Sequence, residues 1–146
     1  GGIIGDASQE DLEHIYNFGE YLGIAFQLKD DLLDAYADPD KFGKQTGNDI
    51  VTNKKTFLII SALEVADETA KSRLLELYSS SNETDNGSKV SEVLALFEKL
   101  NIKTMTEKAV MDYQQKAISE LEAIKMSESR KGTLLAITDY LNKRET

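Results

Sequence analysis

Apolar residues recur at helical spacing along most of this 146-residue chain. In the first long segment, from about Ser8 to Tyr36, they are separated by three, four or seven positions, which is the period of one buried face of an α-helix. That face consists of Leu12, Ile15, Gly19, Leu22, Phe26 and Leu33. Ser8, with Asp11 three residues later, predicts a capping box at the start. Gly19 and Gly23 each weaken a helix by about 1 kcal/mol relative to Ala, which indicates close approach by another backbone or by a ligand.

The same periodicity predicts five further helices, over residues 52–66, 67–78, 88–100, 104–124 and 128–143. Asp67 and Ser88 are the expected N-caps of two of them, and Thr104 with Glu107 forms another capping box. The Glu and Lys residues of the helices over 88–100 and 104–124 are predicted to form solvated faces. No segment shows the alternation of apolar and polar residues that is typical of a strand, so the predicted fold class is all-α.

Two polar stretches interrupt the helices. Residues 37–51 contain the only proline of the chain, Pro39, together with two glycines and several charges, which predicts a structured loop. Residues 79–87, with the sequence SSSNETDNG, have low hydrophobicity and are predicted to form a mobile surface loop.

Composition narrows the possible functions. The chain has 17 Lys and Arg against 26 Asp and Glu, a net charge of −9, which disfavours binding to nucleic acid or to anionic membranes. The absence of Cys excludes disulfides, thiolate metal sites and cysteine nucleophiles, and it fits a reducing compartment. His14 is the only histidine and is interpreted as a packed or surface residue. We expect no membrane span, because no apolar run approaches about 18–20 residues.

The most informative stretch is an acidic cluster near the end of the first helix. With about 100° of rotation per residue, Gln27, Asp30, Asp31 and Asp34 share an arc of roughly 100°. Carboxylates three or four positions apart repel each other, by about 0.2–0.5 kcal/mol per pair, and Asp is a mediocre helix former. One interpretation is a solvated acidic face. The other is a magnesium site, because Mg²⁺ is usually held by one or two carboxylates together with waters and substrate phosphates.

The loop that follows strengthens the second interpretation. Gly43, Lys44, Gly47, Asp49 and Lys54 bring two cations and two permissive glycines within 20 residues of the carboxylates. Ammonium groups that reach the same phosphates as the metal would complete a diphosphate site. Asp49 is interpreted as a structural residue that orients the loop.

These residues together resemble a known family. The pattern F-Q-x-x-D-D-x-x-D over residues 26–34, followed by G-K-x-x-G-x-D over 43–49 and K-x-T over 54–56, resembles the second aspartate-rich region of trans-isoprenyl diphosphate synthases, the farnesyl and geranylgeranyl diphosphate synthase group. The resemblance extends more weakly from about Gly5 to the C-terminus. It implies a helical isoprenoid synthase fold in which helices surround a deep cavity.

The resemblance also implies an activity. In the family, Mg²⁺ assists ionisation of an allylic diphosphate, isopentenyl diphosphate attacks head-to-tail, and a proton is lost. By analogy Asp30, Asp31 and Asp34 would hold Mg²⁺. Lys44 and Lys54 would neutralise the allylic diphosphate, with Lys54 preferred to Lys55 because Thr56 then completes the K-x-T motif. Gln27 would direct its side-chain oxygen at the carbocation, and Phe26 would wall the cavity against water.

The resemblance covers only part of such an enzyme. Family members are about twice as long and carry another aspartate-rich motif and the isopentenyl diphosphate site upstream, so residues 1–146 are expected to be the C-terminal half of a polyprenyl synthetase domain and to be inactive alone. The complete protein is expected to be a cytoplasmic homodimer.

Two other functions are considered. Asp38, Asp40, Gly43 and Asp49 occupy positions one, three, six and twelve of a loop with EF-hand-like spacing over residues 38–49, which would suit a calcium-binding module. However, position five is Phe42, and position twelve is Asp rather than Glu. A non-catalytic helical partner is the other alternative, and the three mutually repelling carboxylates argue against it.

Overall fold

The computed structural model describes residues 7–37, 46–79 and 85–142, and the side chain of Asn142 lies outside that description. Within these ranges the chain forms seven α-helices and no strand. The helices are α1 (Gln9–Tyr36), α2 (Asn48–Val51), α3 (Phe57–Val65), α4 (Glu68–Ser79), α5 (Asn86–Lys99), α6 (Ile102–Ala123) and α7 (Glu128–Asn142). The predicted all-α class is confirmed for the described residues. No helix among them is both long and apolar enough to cross a membrane.

The chain divides into two compact units, the first formed by residues 1–27 and 109–146 and the second by residues 28–108. In the first unit, apolar side chains of α1 pack against α6 and against residues at and after its end. The buried members of this core are Phe18, Leu22, Ala117, Leu121 and Ile124. The predicted buried face of α1 is wrong in most of its positions, because Leu22 is its only buried member among the described residues, and Ile15 and Gly19 are exposed. The buried side of this part of α1 is formed instead by Phe18, Leu22 and Ala25.

The second unit has its own core, which joins the end of α1 to helices α2 to α6. Its largest fully buried apolar side chains are Phe97, Leu74, Ile102 and Val93. Arg73 of α4 also makes a two-pronged ion pair with Glu92 of α5, with N–O distances of 2.6 and 2.7 Å. Apolar packing and this pair hold α4 and α5 together.

Two predicted helix starts are confirmed by their caps. The Asp11 N–H donates to Ser8 Oγ at 3.1 Å, and the Ser8 hydroxyl donates to Asp11 Oδ2 at 2.7 Å. The Ala70 N–H donates to Asp67 Oδ1 at 2.8 Å, as expected of an N-cap. The last helix, predicted over 128–143, is observed from Glu128 to Asn142.

The helix predicted over residues 52–66 is wrong in its first turn. A short helix, α2, ends at Val51, and α3 begins only at Phe57. Between them Asn53 has a left-handed backbone with φ of 57°, which a continuing α-helix does not allow. Asn tolerates this conformation better than most residues, because its short polar side chain can bond locally.

Two other predicted caps are also wrong. Helix α5 begins at Asn86 and is capped by Asp85, which accepts from the Ser88 N–H at 3.1 Å, so Ser88 lies inside the helix. Helix α6 begins at Ile102, which puts Thr104 within its first turn. In both places the local sequence offers more than one side chain that can cap a helix. Of the predicted loop 79–87, residue 79 ends α4, residues 86–87 begin α5, and residues 80–84 lie outside the described residues.

The close approach predicted at Gly19 and Gly23 is not made by the described residues. Both glycines are exposed, and a Cβ added at either position would meet no heavy atom within 4 Å.

Candidate functional site

The acidic cluster lies on the last two turns of α1, as the sequence predicts. Asp31 is 5% exposed, Asp34 is half-buried and Asp30 is exposed to solvent. The last turn of α1 contains no basic residue. Since the C-terminus of a helix carries a partial negative charge, this is an unfavourable place for carboxylates. The local structure therefore does not stabilise the cluster by itself.

The segment after the loop returns to these carboxylates through backbone donors. The Gly47 N–H donates to the Asp34 carbonyl at 2.6 Å, and the Asp49 N–H donates to Asp34 Oδ2 at 2.9 Å. Gly47 has φ of 80°, and a Cβ there would lie 2.7 Å from Val90 Cγ1 of α5. Both the backbone conformation and the lack of space require glycine at this position.

Lys54 brings its ammonium to two of the carboxylates. Its Nζ lies 2.6 Å from Asp49 Oδ2 and 3.3 Å from Asp31 Oδ1, and its backbone N–H donates to the Asp49 carbonyl at 2.9 Å. The Lys54 side chain is 48% exposed, so solvent reaches the ammonium. Asp49, which the sequence suggested was structural, thus orients the segment and also contributes its carboxylate to the cluster.

The charges of the cluster shift the pKa values of Asp34 and Lys54. Burial raises the pKa of Asp34, and the charges of Asp49 and Asp31 add to that effect, while the bond from the Asp49 N–H and the Lys54 ammonium oppose it. The pKa of Lys54 is raised chiefly by its bond to Asp49, so Lys54 is charged at neutral pH. A cation that approached Asp34 would relieve its unfavourable charge.

A second lysine, which the sequence did not indicate, packs against the residues between α2 and α3 that precede Lys54. Lys89 of α5 was expected on a solvated face, but it is 4% exposed, and that expectation is wrong. Its ammonium donates to Asn53 Oδ1 at 2.5 Å and to the Val51 carbonyl at 3.5 Å, and it lies 5.6 Å from the centre of the Tyr78 ring. Burial, reinforced by the negative charges of Asp49 and Asp34, raises the pKa of Tyr78.

The remaining predicted site residues are not all brought together here. Phe26, half-buried, and Gln27, exposed, lie on α1 about one turn before Asp30 and fall within the first unit. Lys44 lies outside the described residues. Lys55 is exposed and lines a separate, largely apolar cavity of about 290 Å³, to which Ile59 also contributes.

The donor chemistry of the cluster suits magnesium. In the part of the chain that the structure describes, no three His, Asp or Glu side chains already converge as a metal site. Mg²⁺ does not require such a cage, because waters and substrate phosphates normally complete its oxygen ligands around one or two carboxylates. Asp30, Asp31 and Asp34 offer only oxygen donors, so this set fits that ion.

The calcium alternative has a different geometry at its one described carboxylate. Residues 38–45 of its loop lie outside the described residues. Asp49, the twelfth position of the loop, lies in α2 and accepts a bond from Lys54. Its carboxylate is therefore engaged by an ammonium group.

Comparison with known proteins decides the family. The sequence profile of the polyprenyl synthetase family matches residues 1–97, which include the whole acidic cluster, Asp49 and Lys54. This chain is a member of the polyprenyl synthetase family. The resemblance drawn from the aspartate and lysine motifs is thereby confirmed at the level of the family.

Relatives of this polyprenyl synthetase chain match along nearly its whole length. A short chain isoprenyl diphosphate synthase of Methanothermobacter thermautotrophicus is 31% identical over 99% of the chain, and a geranylgeranyl diphosphate synthase of Methanosarcina mazei is 32% identical over 99%. A crystal structure of a geranylgeranyl pyrophosphate synthase superposes with a TM-score of 0.85, at 34% identity over 99% of the chain. The chain spans 43%, 42% and 45% of these proteins, less than half of each.

Proposed function

We propose that this chain supplies the magnesium and allylic diphosphate site of a prenyltransferase. The complete protein would condense isopentenyl diphosphate head-to-tail with an allylic diphosphate to give a short-chain isoprenyl diphosphate of the farnesyl or geranylgeranyl type. Family membership and the names of the relatives support this class of reaction. The observation that carries the assignment to this site is the Lys54 ammonium, which lies between Asp31 and Asp49 beside the aspartate-rich motif.

Each site residue has a proposed role in this reaction. Asp30, Asp31 and Asp34 would hold the metal. A bound magnesium ion would supply positive charge to the diphosphate as its bond to the allylic carbon breaks. Lys54, with Lys44, would stabilise the same developing negative charge.

The two residues before the motif would act on the hydrocarbon part of the substrate. Gln27 would direct its side-chain oxygen dipole toward the allylic cation. Phe26 would help to exclude water, which would otherwise capture that cation as an alcohol. The electrons of the isopentenyl double bond then form the new carbon–carbon bond, and a proton is lost from the resulting cation.

Adjacent lysines offer a direct test of the diphosphate site. We expect inorganic diphosphate, titrated calorimetrically into the complete protein with Mg²⁺ present, to bind about tenfold more weakly to the Lys54→Gln variant than to the wild type. Lys55→Gln is the matched control and should bind like the wild type, because Lys55 is the next residue along the chain but lines the separate apolar cavity with Ile59. Equal weakening in both variants would show that only general positive charge matters and would remove Lys54 from the site.

The same titration separates the alternatives. Tight Ca²⁺ binding that Mg²⁺ does not displace would favour the calcium-binding module. A wild type that binds neither Mg²⁺ with diphosphate nor Ca²⁺ would favour the non-catalytic helical partner.

Turnover by residues 1–146 alone would contradict the predicted inactivity of the chain. The cytoplasmic homodimer stays a prediction, which sedimentation of the complete protein and fractionation of cells can check.

A further inference from the structure

The burial of Lys89 is unusual for its residue type. Lysine is almost never fully buried unless it is paired, because removing an ammonium from water is expensive. Lys89 also lies near the N-terminus of α5, where the helix dipole disfavours a cation. Burial lowers its pKa, which reflects the same unfavourable environment. Replacing a buried charge by an apolar side chain is often neutral or stabilising, so the ammonium calls for a specific explanation.

The contacts of the ammonium point to the turn after α2. Among the described residues its acceptors are neutral oxygens, Asn53 Oδ1 at 2.5 Å and the Val51 carbonyl at 3.5 Å. Val51 ends a helix of only four residues, whose last carbonyls need partners from outside the helix. Asn53 is the residue with φ of 57° that ends the helical path. Lys89 therefore holds both the end of α2 and the strained residue that follows it.

Two consecutive residues of α5 contact the segment from Gly47 to Lys54, one near each end of it. Val90 occupies the space that a side chain at Gly47 would need, at the start of the segment. Lys89 bonds Asn53 near its end. The next residue, Lys54, carries the ammonium that reaches Asp31 and Asp49. The path from Lys89 to the carboxylates is therefore continuous: it runs through the side chain of Asn53, the peptide bond to Lys54 and the side chain of Lys54.

We propose that Lys89 is a positioning residue whose ammonium holds the turn at Asn53, and that this turn sets where Lys54 meets Asp31 and Asp49. The inference rests on the proposed role of Lys54 as a diphosphate ligand. The described contacts of Lys89 are with Asn53, Val51 and Tyr78, so its proposed effect on binding is indirect. Side chains that support primary ligands in this way typically change affinity by about 10–100-fold when they are removed.

The test is the Lys89→Met variant of the complete protein, which keeps most of the buried stem and removes the ammonium. We expect inorganic diphosphate with Mg²⁺ to bind about tenfold more weakly by calorimetry. The melting temperature should be unchanged or higher, since an apolar side chain replaces a buried charge. Lys99→Met is the matched control, because Lys99 is an exposed lysine of the same helix, and it should bind like the wild type.

A second measurement needs no ligand. The Lys54 N–H, which donates to the Asp49 carbonyl, should exchange with solvent faster in Lys89→Met than in the wild type or in Lys99→Met. The same substitution in the Asn53→Gly variant tests whether the effect of Lys89 is transmitted through the Asn53 side chain. Glycine keeps the positive φ but lacks the side-chain acceptor. In that background Lys89→Met should weaken diphosphate binding little further, because its partner is already absent.

The outcomes distinguish this inference from the proposed function. If Lys54→Gln weakens diphosphate binding but Lys89→Met does not, the positioning role is overturned and the proposed function stands. If the melting temperature falls together with affinity, or if the effects of Lys89→Met and Asn53→Gly are additive, Lys89 acts on the fold or by another route and the inference is also overturned. A wild type that binds no diphosphate would overturn the proposed function, and this inference with it.

Discussion

Helix α1 carries acidic residues near both ends, and their pKa values are shifted in opposite directions at the two ends. At the N-terminal end, Asp11 accepts from the Ser8 hydroxyl and from the Lys125 N–H, and these bonds lower its pKa, with the Ser8 bond contributing most. At the C-terminal end, burial and neighbouring carboxylates raise the pKa of Asp34. A negative charge is favoured at the first end of a helix and disfavoured at the second.

The contrast separates a structural use of carboxylates from a functional one. Asp11 stabilises the folded chain as it stands, and its position is explained by its contacts. Asp34 and its neighbours Asp30 and Asp31 lie at the end of the helix where negative charge is disfavoured, and Lys54 bonds Asp31 among them. Residues kept at the expense of stability are typical of binding and catalytic sites. The C-terminal end of α1 is therefore where a cation and a charged substrate would be expected to act.

The largest expected effect is on activity at the C-terminal end. Asp30→Ala in the complete protein should lower kcat by on the order of 100-fold, because it removes a proposed metal ligand. It should leave the melting temperature of the metal-free protein unchanged or higher, since Ala is a better helix former and the repulsion between Asp30 and Asp34 is lost. Steady-state kinetics and thermal denaturation measure the two quantities.

The control for this prediction lies at the other end of the helix. Ser8→Ala removes the cap and should lower the free energy of unfolding by about 1 kcal/mol without changing kcat. If Asp30→Ala lost stability and activity in parallel, Asp30 would be a structural residue. The functional role assigned to the C-terminal end of α1 would then be contradicted.

A medium effect is expected at Gly47, on stability. Gly47→Ala should lower the free energy of unfolding by roughly 2–4 kcal/mol, because alanine must adopt a left-handed backbone and its Cβ meets Val90. Gly132→Ala, within α7 and with open space around it, should instead raise it by about 1 kcal/mol. Urea denaturation checks both values. Similar values for the two variants would mean that the contact with Val90 does not constrain the segment.

The smallest expected effect concerns pH and the charge of Asp34. A carboxyl group whose pKa is raised in the folded state lowers stability above that pKa, and this penalty disappears as the pH falls to the ordinary Asp value near 4. Asp34→Asn should therefore stabilise the metal-free protein at pH 7, by on the order of 1 kcal/mol or less, and not at about pH 3.5. It should also weaken Mg²⁺ binding.

Asp11→Asn is the matched control, and its sign is opposite. The pKa of Asp11 is lowered in the folded state, so its charge contributes stability at pH 7 that is lost as the pH falls through the folded pKa. Its replacement should lower the melting temperature at pH 7. Shifts of the same sign in both variants would contradict the opposite roles assigned to the two ends of α1.

Much of the fold and part of the site could be predicted, and the failures have a common cause. The extent of α1 and the cap at Ser8 are local features, so sequence spacing sufficed for them. The buried face of α1 was predicted wrongly, because tertiary packing determines which side of the helix is covered. The helix predicted over 52–66 failed in its first turn, where Asn53 has a left-handed backbone and its side chain accepts a bond from Lys89, 36 positions away along the chain. The same lysine was assigned to a solvated face, since no local pattern distinguishes a buried lysine from an exposed one.

The sequence by itself determined the helical class, the family and the chemical types gathered at the site, because helix period and motif spacing are properties of neighbouring residues. Only the tertiary structure decided which groups meet. In the folded chain Asp31 is buried and Asp30 is exposed. Lys54, rather than Lys55, contacts Asp31, and the Asp49 carboxylate also bonds Lys54. Lys89 is also buried and bonds Asn53. These outcomes depend on contacts between distant parts of the chain, whose energies no local pattern records.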